Sequence, residues 1–105
     1  MLFRSGQISQ VFINLIRNAI QAEASRIDIV AQIDNSEAIV IDVINNGRAI
    51  SRESQDQIFV PFFTTKQDGT GIGLSLSRQI MRLHNGFIRL VKSDEKQTVF
   101  MLLFR

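Results

Sequence analysis

Apolar residues recur every three or four positions between Gln7 and Ala22, which predicts an amphipathic helix. Its core-facing stripe comprises Ile8, Val11, Phe12, Leu15, Ile16, Ala19 and Ile20. A second face carries residues spaced by four, namely Gln10, Asn14, Asn18 and Ala22. Asparagine is a mediocre helix former because its side chain competes for backbone groups. Two of them on one face indicate either a solvated surface or amide oxygens that face a ligand.

The rest of the chain is predicted to form four strands and two helices. The predicted elements are strands at 26–33 and 38–44, a short helix at 51–59 with Ser51 as N-cap, a helix of about three turns from Leu74 to the stop signal Asn85-Gly86, and strands at 87–93 and 98–104. Short turns within each strand pair imply antiparallel pairing. Helices packed on one face of that sheet give the predicted fold class, a two-layer α+β sandwich with a mostly antiparallel sheet.

Composition narrows the possible functions only slightly. With 105 residues, 45% hydrophobic and 21% charged, the chain is expected to form one domain, spanning 1–105. It contains no cysteine, which excludes disulfides and thiolate metal sites. Its net charge is +2 and the basic residues are scattered, so a nucleic-acid partner is not expected. No apolar run approaches the roughly 20 residues that cross a bilayer.

A glycine-rich stretch, residues 64–74, carries the clearest chemical signal. Gly69, Gly71 and Gly73 alternate just before the predicted third helix. Glycines at this spacing allow close backbone approach, and N–H groups leading into a helix N-terminus suit a phosphate. Lys66 and the hydroxyls of Thr64, Thr65 and Thr70 add a charge and donors.

Three common phosphate loops do not fit this stretch. A P-loop requires a lysine and a Ser/Thr directly after its last glycine, but Leu74 and Ser75 follow Gly73. A dinucleotide-binding fingerprint follows a buried strand, and here a Phe/Thr/Lys loop precedes the glycines. A protein-kinase glycine loop lies between two strands, whereas this one opens a helix.

Four segments in order resemble the catalytic, ATP-binding domain of sensor histidine kinases, within the wider GHKL superfamily. Residues 10–19 (QVFINLIRNA) resemble the N box, 45–50 (NNGRAI) the first glycine box, 58–63 (IFVPFF) the F box and 69–74 (GTGIGL) the second glycine box. The terminal strand, with Thr98 and Phe100, also fits. The resemblance implies a Bergerat-type ATP-binding fold whose usual first strand is missing, so we expect a chain trimmed at its N-terminus.

The resemblance also implies a site for ATP and Mg²⁺. Asn18 would ligate Mg²⁺, and Asn14 would support the metal and the phosphates. Lys66, in the ATP lid, would meet the β- and γ-phosphates. The implied nucleotide-binding residues are Asn14, Asn18, Ala22, Asn45, Gly47, Ala49, Ile50, Thr65, Lys66, Gly69, Thr70, Gly71, Ile72, Gly73, Leu74 and Thr98. Hydrolysing relatives carry a glutamate where this chain has Asn14, and an amide cannot act as a general base, which favours phosphoryl transfer over hydrolysis.

Two positions depart from the family pattern at the adenine end. Asn45 replaces the aspartate that accepts a hydrogen bond from the adenine amino group, so charge assistance is lost and we expect weaker discrimination between adenine and guanine. Ala49 replaces the second glycine of its box. If the backbone there requires a positive φ, the methyl group costs about 1 kcal/mol; alternatively the loop takes another path.

The implied partners are a dimerisation domain that carries the phosphoacceptor histidine, in the same parent chain, and a response regulator. The chain itself is expected to be monomeric and cytoplasmic, in a dimeric parent that can be anchored in the inner membrane.

His84, the single histidine, is interpreted as a helix-cap residue rather than the acceptor. Two interpretations of Phe62 and Phe63 stay open: they pack in the core, or they anchor the lid or contact the acceptor domain. Alternative functions are a non-enzymatic nucleotide-binding or docking module and an anti-sigma-type serine kinase.

Overall fold

The structure is a computed structural model that describes residues 5–63 and 71–105. Its helices are α1 (Ser5–Gln21), α2 (Arg52–Gln55) and α3 (Gly73–Leu83), and its strands are β1 (Ile27–Ile33), β2 (Ile39–Asn45), β3 (Phe87–Ser93) and β4 (Thr98–Phe104). The strands form one antiparallel sheet in the order β1-β2-β4-β3, with the helices on one side. The predicted two-layer α+β sandwich is confirmed.

The hydrophobic core lies between the helices and the two central strands. Its buried members are Val11 and Leu15 of α1, Ile80 and Met81 of α3, Val43 of β2, Ile88 of β3, Phe100, Leu102 and Phe104 of β4, and Ile58. The rings of Phe59 and Phe100 meet edge to face, 6.5 Å between centroids, and so attach the loop after α2 to this core. Phe63 also packs against it, whereas Phe62 is exposed.

Apolar residues near the ends of three elements are exposed rather than buried. Ile20 is 64% exposed, Ile33 is 72% exposed and Leu83 is 73% exposed. Each lies at the end of its element, and β1 is an edge strand. Sequence periodicity identifies a face, but burial requires a second element to cover it.

The helix predicted over 51–59 is shorter than expected. Ser51 is confirmed as the N-cap, because its hydroxyl accepts the N–H of Ser54 at 3.3 Å. After Gln55 the chain continues as tight turns, since Gln57 N–H bonds to Ser54 O and Val60 N–H to Gln57 O. Pro61 follows, and the residue before a proline disfavours helical backbone.

Helix α3 ends at the predicted stop signal in a Schellman motif. Asn85 adopts a φ of 59°, Gly86 N–H donates to Met81 O at 2.9 Å and Asn85 N–H donates to Arg82 O at 3.1 Å. A Cβ on Gly86 would overlap the carbonyl oxygen of Leu103, so glycine is required there. The motif therefore fixes how α3 turns into β3, beside β4.

Within residues 5–63 and 71–105, no helix combines the length and the apolar character needed to cross a bilayer.

Candidate functional site

A cavity of about 750 Å³ opens between α1, the start of α3 and the loop that follows β2. Eleven of the predicted site residues line it: Asn14, Asn18, Ala22, Asn45, Ala49, Ile50, Gly71, Ile72, Gly73, Leu74 and Thr98. Residues from four separate parts of the sequence therefore share one surface. Gly47 lies beside the cavity, and Thr65, Lys66, Gly69 and Thr70 lie outside the described residues.

The first wall is the polar face of α1, where Asn14 makes three hydrogen bonds. Its Oδ1 accepts from Gln10 Nε2 at 2.9 Å. Its Nδ2 donates to the carbonyl oxygen of Gly73 at 3.0 Å and to Ser77 Oγ at 3.1 Å. Asn14 is only 8% exposed, so a buried amide holds the start of α3 against α1.

The second wall is the N-terminal end of α3. Its N-cap residue, Ile72, makes no side-chain capping bond, and the first turn contains no acidic residue. The first N–H groups of a helix have no intrahelical partner and carry a partial positive charge. This end of the cavity therefore suits an anionic group.

Gly71 brings the loop after α2 to that end of α3. Phe62 N–H donates to Gly71 O at 2.7 Å, across the ends of the segment 63–70. Gly71 has a φ of 75°, Phe62 a φ of 67°, and a Cβ on Gly71 would overlap the Phe62 backbone. Glycine is therefore needed for both conformation and space.

The third wall is the C-terminal end of β2 and the turn that follows. Asn45 Oδ1 accepts the Gly47 N–H at 2.8 Å, and Asn45 is 5% exposed. A Cβ on Gly47 would lie 2.8 Å from Ala22 Cβ, so only glycine allows this turn to approach the end of α1. Arg48 N–H also donates to Ala22 O at 2.8 Å, which fixes the turn on α1.

Ala49 carries no backbone strain. It is not among the described residues with a positive φ. Alanine at this glycine-box position therefore does not pay the free-energy cost of a positive φ.

Thr98, the first residue of β4, pairs with Asn45 across the sheet. Its hydroxyl lies 2.6 Å from Ser93 Oγ, and Ser93 Oγ accepts the Ile50 N–H at 2.8 Å. This chain of bonds ties the loop after β2 to the ends of β3 and β4.

Several cavity residues were not predicted from the sequence as site residues. They are Gln10, Arg17, Gln21, Arg48, Ser51, Ser54, Ile58, Phe63 and Leu76. Gln10, Arg17 and Gln21 lie four before, three after and seven after Asn14, and this helical spacing could have identified them. Arg48, Ile58 and Phe63 lie inside two of the matched motifs, at 45–50 and 58–63, so the motifs could also have indicated them. Ser51, Ser54 and Leu76 reach the cavity through the packing of their elements, for which the sequence gives no local signal.

The described lining contains no carboxylate, and its two cations are Arg17 and Arg48. Arg48 already pairs with Glu23 at 2.7 Å. His84 lies elsewhere, buried at the end of α3, with Nδ1 2.8 Å from Ile80 O. That contact agrees with its interpretation as a helix-cap residue.

Comparison with known proteins identifies relatives. Residues 4–105 match the family described as histidine kinase-, DNA gyrase B-, and HSP90-like ATPase. The chain is 35% identical over 98 residues to the sensor histidine kinase ZraS of Salmonella typhimurium, covering 91% of this chain and 21% of ZraS. It is 40% identical over 100 residues to the signal transduction histidine-protein kinase AtoS of Escherichia coli, covering 91% of this chain and 16% of AtoS. It therefore spans about a fifth of the length of these curated relatives.

A solved structure of a histidine kinase domain has a similar fold. The catalytic domain of the histidine kinase ThkA, in a nucleotide-free form, superposes with a TM-score of 0.80 at 38% identity, covering 97% of this chain and 68% of that one. The residues that line the cavity, the match to the family model and this superposition all indicate the same family. The chain therefore belongs to the histidine kinase-, DNA gyrase B- and HSP90-like ATPase family.

Proposed function

We propose that this chain binds Mg²⁺–ATP in the cavity and supplies its γ-phosphoryl group to a histidine on a separate dimerisation domain, in two-component signalling. One observation carries the proposal: the amide-bearing face of α1 lies against the uncapped N-terminal end of α3. The cavity volume of about 750 Å³ falls within the roughly 300–1,000 Å³ range of small-molecule sites.

The phosphates would lie at the start of α3. The backbone from Gly71 to Gly73 can approach an anion closely, and Arg17 lines the same cavity. Lys66, Thr65, Gly69 and Thr70 are not among the described residues. They are proposed to make the remaining contacts with the phosphates. Positioning and charge neutralisation are most of what catalysis of phosphoryl transfer requires.

The side chains present fit magnesium bound together with phosphate. Asn14 Oδ1 already accepts from Gln10, and Asn18 presents a second amide to the cavity one turn later. Within the described part of the chain, no group of three or more His, Asp or Glu residues could hold a metal unaided. Mg²⁺ binds few protein ligands and keeps waters and phosphate oxygens, so Asn18 is the proposed direct ligand and Asn14 its support. The ion would supply positive charge to the phosphate oxygens.

Transfer to a supplied acceptor is favoured over hydrolysis. None of the described cavity residues is an aspartate or glutamate that could activate water. His84 is a poor acceptor because it is buried outside the cavity. The acceptor histidine is therefore proposed to belong to a dimerisation domain of the parent protein, and a response regulator to receive the phosphoryl group from it.

Calorimetric titration with ATP, in the presence and absence of Mg²⁺, tests nucleotide binding. We expect binding that depends on Mg²⁺, that is lost in Asn18→Ala and that is retained in Asn18→Asp, which keeps an oxygen at the same position. Absence of binding at millimolar ATP would contradict the proposal.

Phosphoryl transfer requires a second experiment. The chain is mixed with γ-labelled ATP and the histidine-bearing dimerisation domain, and label on that domain is measured. We expect labelling that is lost in Asn18→Ala. Nucleotide binding without labelling would instead support the non-enzymatic docking module.

A further inference from the structure

The two ends of the cavity lie far enough apart to hold different parts of a nucleotide. Asn14 contacts Gly73 at the end that suits an anion. Ala22 lies eight residues further along α1 and its continuation, which is about 12 Å along the axis. A nucleotide with its phosphates at α3 therefore places its base near Ala22, Ile50 and Thr98, which line the second end.

Ser93, the last residue of β3, does not line the cavity but contacts two residues that do. Its Oγ accepts the N–H of Ile50 at 2.8 Å and lies 2.6 Å from Thr98 Oγ1. Thr98 is buried, so water cannot readily replace a hydrogen bond that its hydroxyl loses. One serine hydroxyl therefore joins the loop after β2 to the first residue of β4.

A β-bulge places this hydroxyl. The pairing of β3 with β4 shifts register between Leu90 and Lys92, which leaves Val91 as an extra residue in β3. In a regular ladder Lys92 would pair with Thr98, but after the bulge Ser93 does so. Bulges near functional sites commonly change the direction of a side chain. The irregular strand therefore brings a short hydroxyl side chain, and not a lysine, to the base end of the cavity.

Ile50 is held on both sides of its backbone. Its N–H donates to Ser93 Oγ, and its carbonyl oxygen accepts from Gln55 Nε2 at 2.9 Å. Its side chain packs against the hydrophobic core and also lines the cavity. Without the Ser93 hydroxyl, the Ile50 N–H would lose its partner and the loop would lose its bond to the sheet.

We propose that Ser93 is a positioning residue for the base of the bound nucleotide, because its hydroxyl holds Ile50 and Thr98 where they contact the base. This inference rests on the proposed nucleotide-binding function and adds to that site a residue that lies outside the cavity. The phosphate end is formed by α1 and α3, which Ser93 does not contact through its hydroxyl, so its effect is confined to the base end.

The test compares the dissociation constants of ATP and adenosine, with Mg²⁺, for the unmodified chain and Ser93→Ala by calorimetry. Adenosine has no phosphates and therefore reports on the base end alone. We expect Ser93→Ala to weaken both ligands by the same factor, roughly twofold to tenfold, which is the equivalent of one net hydrogen bond. Ser93→Thr keeps a hydroxyl at the same position and should restore both constants to those of the unmodified chain.

Ser36→Ala is the matched control. Ser36 lies in the β1–β2 turn, its hydroxyl donates to Asp34 Oδ1 at 2.8 Å, and it does not line the cavity. Urea denaturation should show a loss of stability in both alanine variants, whereas a loss of affinity is expected in Ser93→Ala only.

The possible results separate the inference from the proposed function. Unchanged affinity for both ligands in Ser93→Ala would assign the hydroxyl to stability alone, and a loss confined to ATP would place its effect at the phosphates. Either result overturns the inference while the proposed function stands. The inference is also wrong if Ser93→Thr binds as weakly as Ser93→Ala, or if adenosine does not bind the unmodified chain. If the unmodified chain does not bind ATP, both the inference and the proposed function are wrong.

Discussion

The side-chain amino group of Asn14 donates to the carbonyl oxygen of Gly73 at 3.0 Å and thereby joins α1 to the first residue of α3. The same amino group donates to Ser77 Oγ, and Oδ1 accepts from Gln10. Asn14 is therefore a structural link as well as a proposed phosphate-site residue. The distance between the two walls of the cavity depends on it.

Asn14→Ala should lower the free energy of unfolding by about 1–3 kcal/mol, because the Gly73 carbonyl and the Ser77 hydroxyl lose a buried donor. It should also weaken nucleotide binding, because the start of α3 is no longer held against α1. Urea denaturation and calorimetric titration measure the two effects.

Ser77→Ala is the matched comparison for that variant. It removes one acceptor of Asn14 and the hydrogen bond that Ser77 Oγ donates to the Gly73 carbonyl, but it keeps the Asn14–Gly73 hydrogen bond, and Ser77 does not line the cavity. We expect a loss of stability with near-normal nucleotide affinity. Equal loss of affinity in the two variants would contradict a specific role for the Asn14–Gly73 link.

Gly71→Ala should both destabilise the chain and weaken nucleotide binding. Its φ of 75° is costly for alanine, by about 1–3 kcal/mol, and the methyl group would overlap the Phe62 backbone. The Phe62–Gly71 hydrogen bond should then be lost, and with it the position of the α3 N-terminus. Unfolding and titration experiments again measure the two effects.

Gly6→Ala is the control for that substitution. Gly6 lies in α1, and a Cβ there would meet nothing within 4 Å. Alanine is a better helix former than glycine, so stability should rise by up to about 1 kcal/mol. Unchanged stability in Gly71→Ala would mean that the Phe62–Gly71 hydrogen bond does not stabilise the fold.

Arg17→Gln should weaken ATP binding between about twofold and tenfold while leaving adenosine binding unchanged. Arg17 lines the cavity but is exposed, so its attraction for the phosphates is screened by solvent and salt. The difference from the unmodified chain should shrink at high ionic strength. Arg52→Gln, an exposed change outside the cavity lining, should leave ATP affinity unchanged; an equal effect there would indicate only a loss of net charge.

The β1–β2 hairpin should weaken in acid. Bonds from the Ser36 hydroxyl and the Ala38 N–H to Asp34 lower the pKa of its carboxyl below the ordinary value of 3.8. Because the folded-state pKa is depressed, this stabilisation is present above about pH 4 and is lost as the pH falls through the lowered value. Asp34→Ala should therefore lose stability at pH 7 and show a smaller further loss on acidification, measured by urea midpoints at pH 7 and 3. Glu95→Ala, in the other hairpin turn, should keep the pH profile of the unmodified chain.

The sequence by itself determined the elements and their order. Local periodicity identified α1, α3 and all four strands to within a residue or two, since a face pattern depends only on neighbours along the chain. The spacing of Asn14 and Asn18 alone left a solvated face and a ligand site open, and the resemblance of the four motifs to a known family predicted which segments would meet at a site. The short turns required antiparallel pairing.

Tertiary structure decided the remaining features. Ile20 and Leu83 are apolar residues of amphipathic helices, but among the described residues no element covers them and they are exposed. Ser54 and Leu76, which belong to none of the matched motifs, reach the cavity only through the packing of their elements. The orientation of the Asn45 amide is set by the Gly47 N–H, which donates to Oδ1. Burial and amide orientation depend on groups distant in the sequence, which no local pattern specifies.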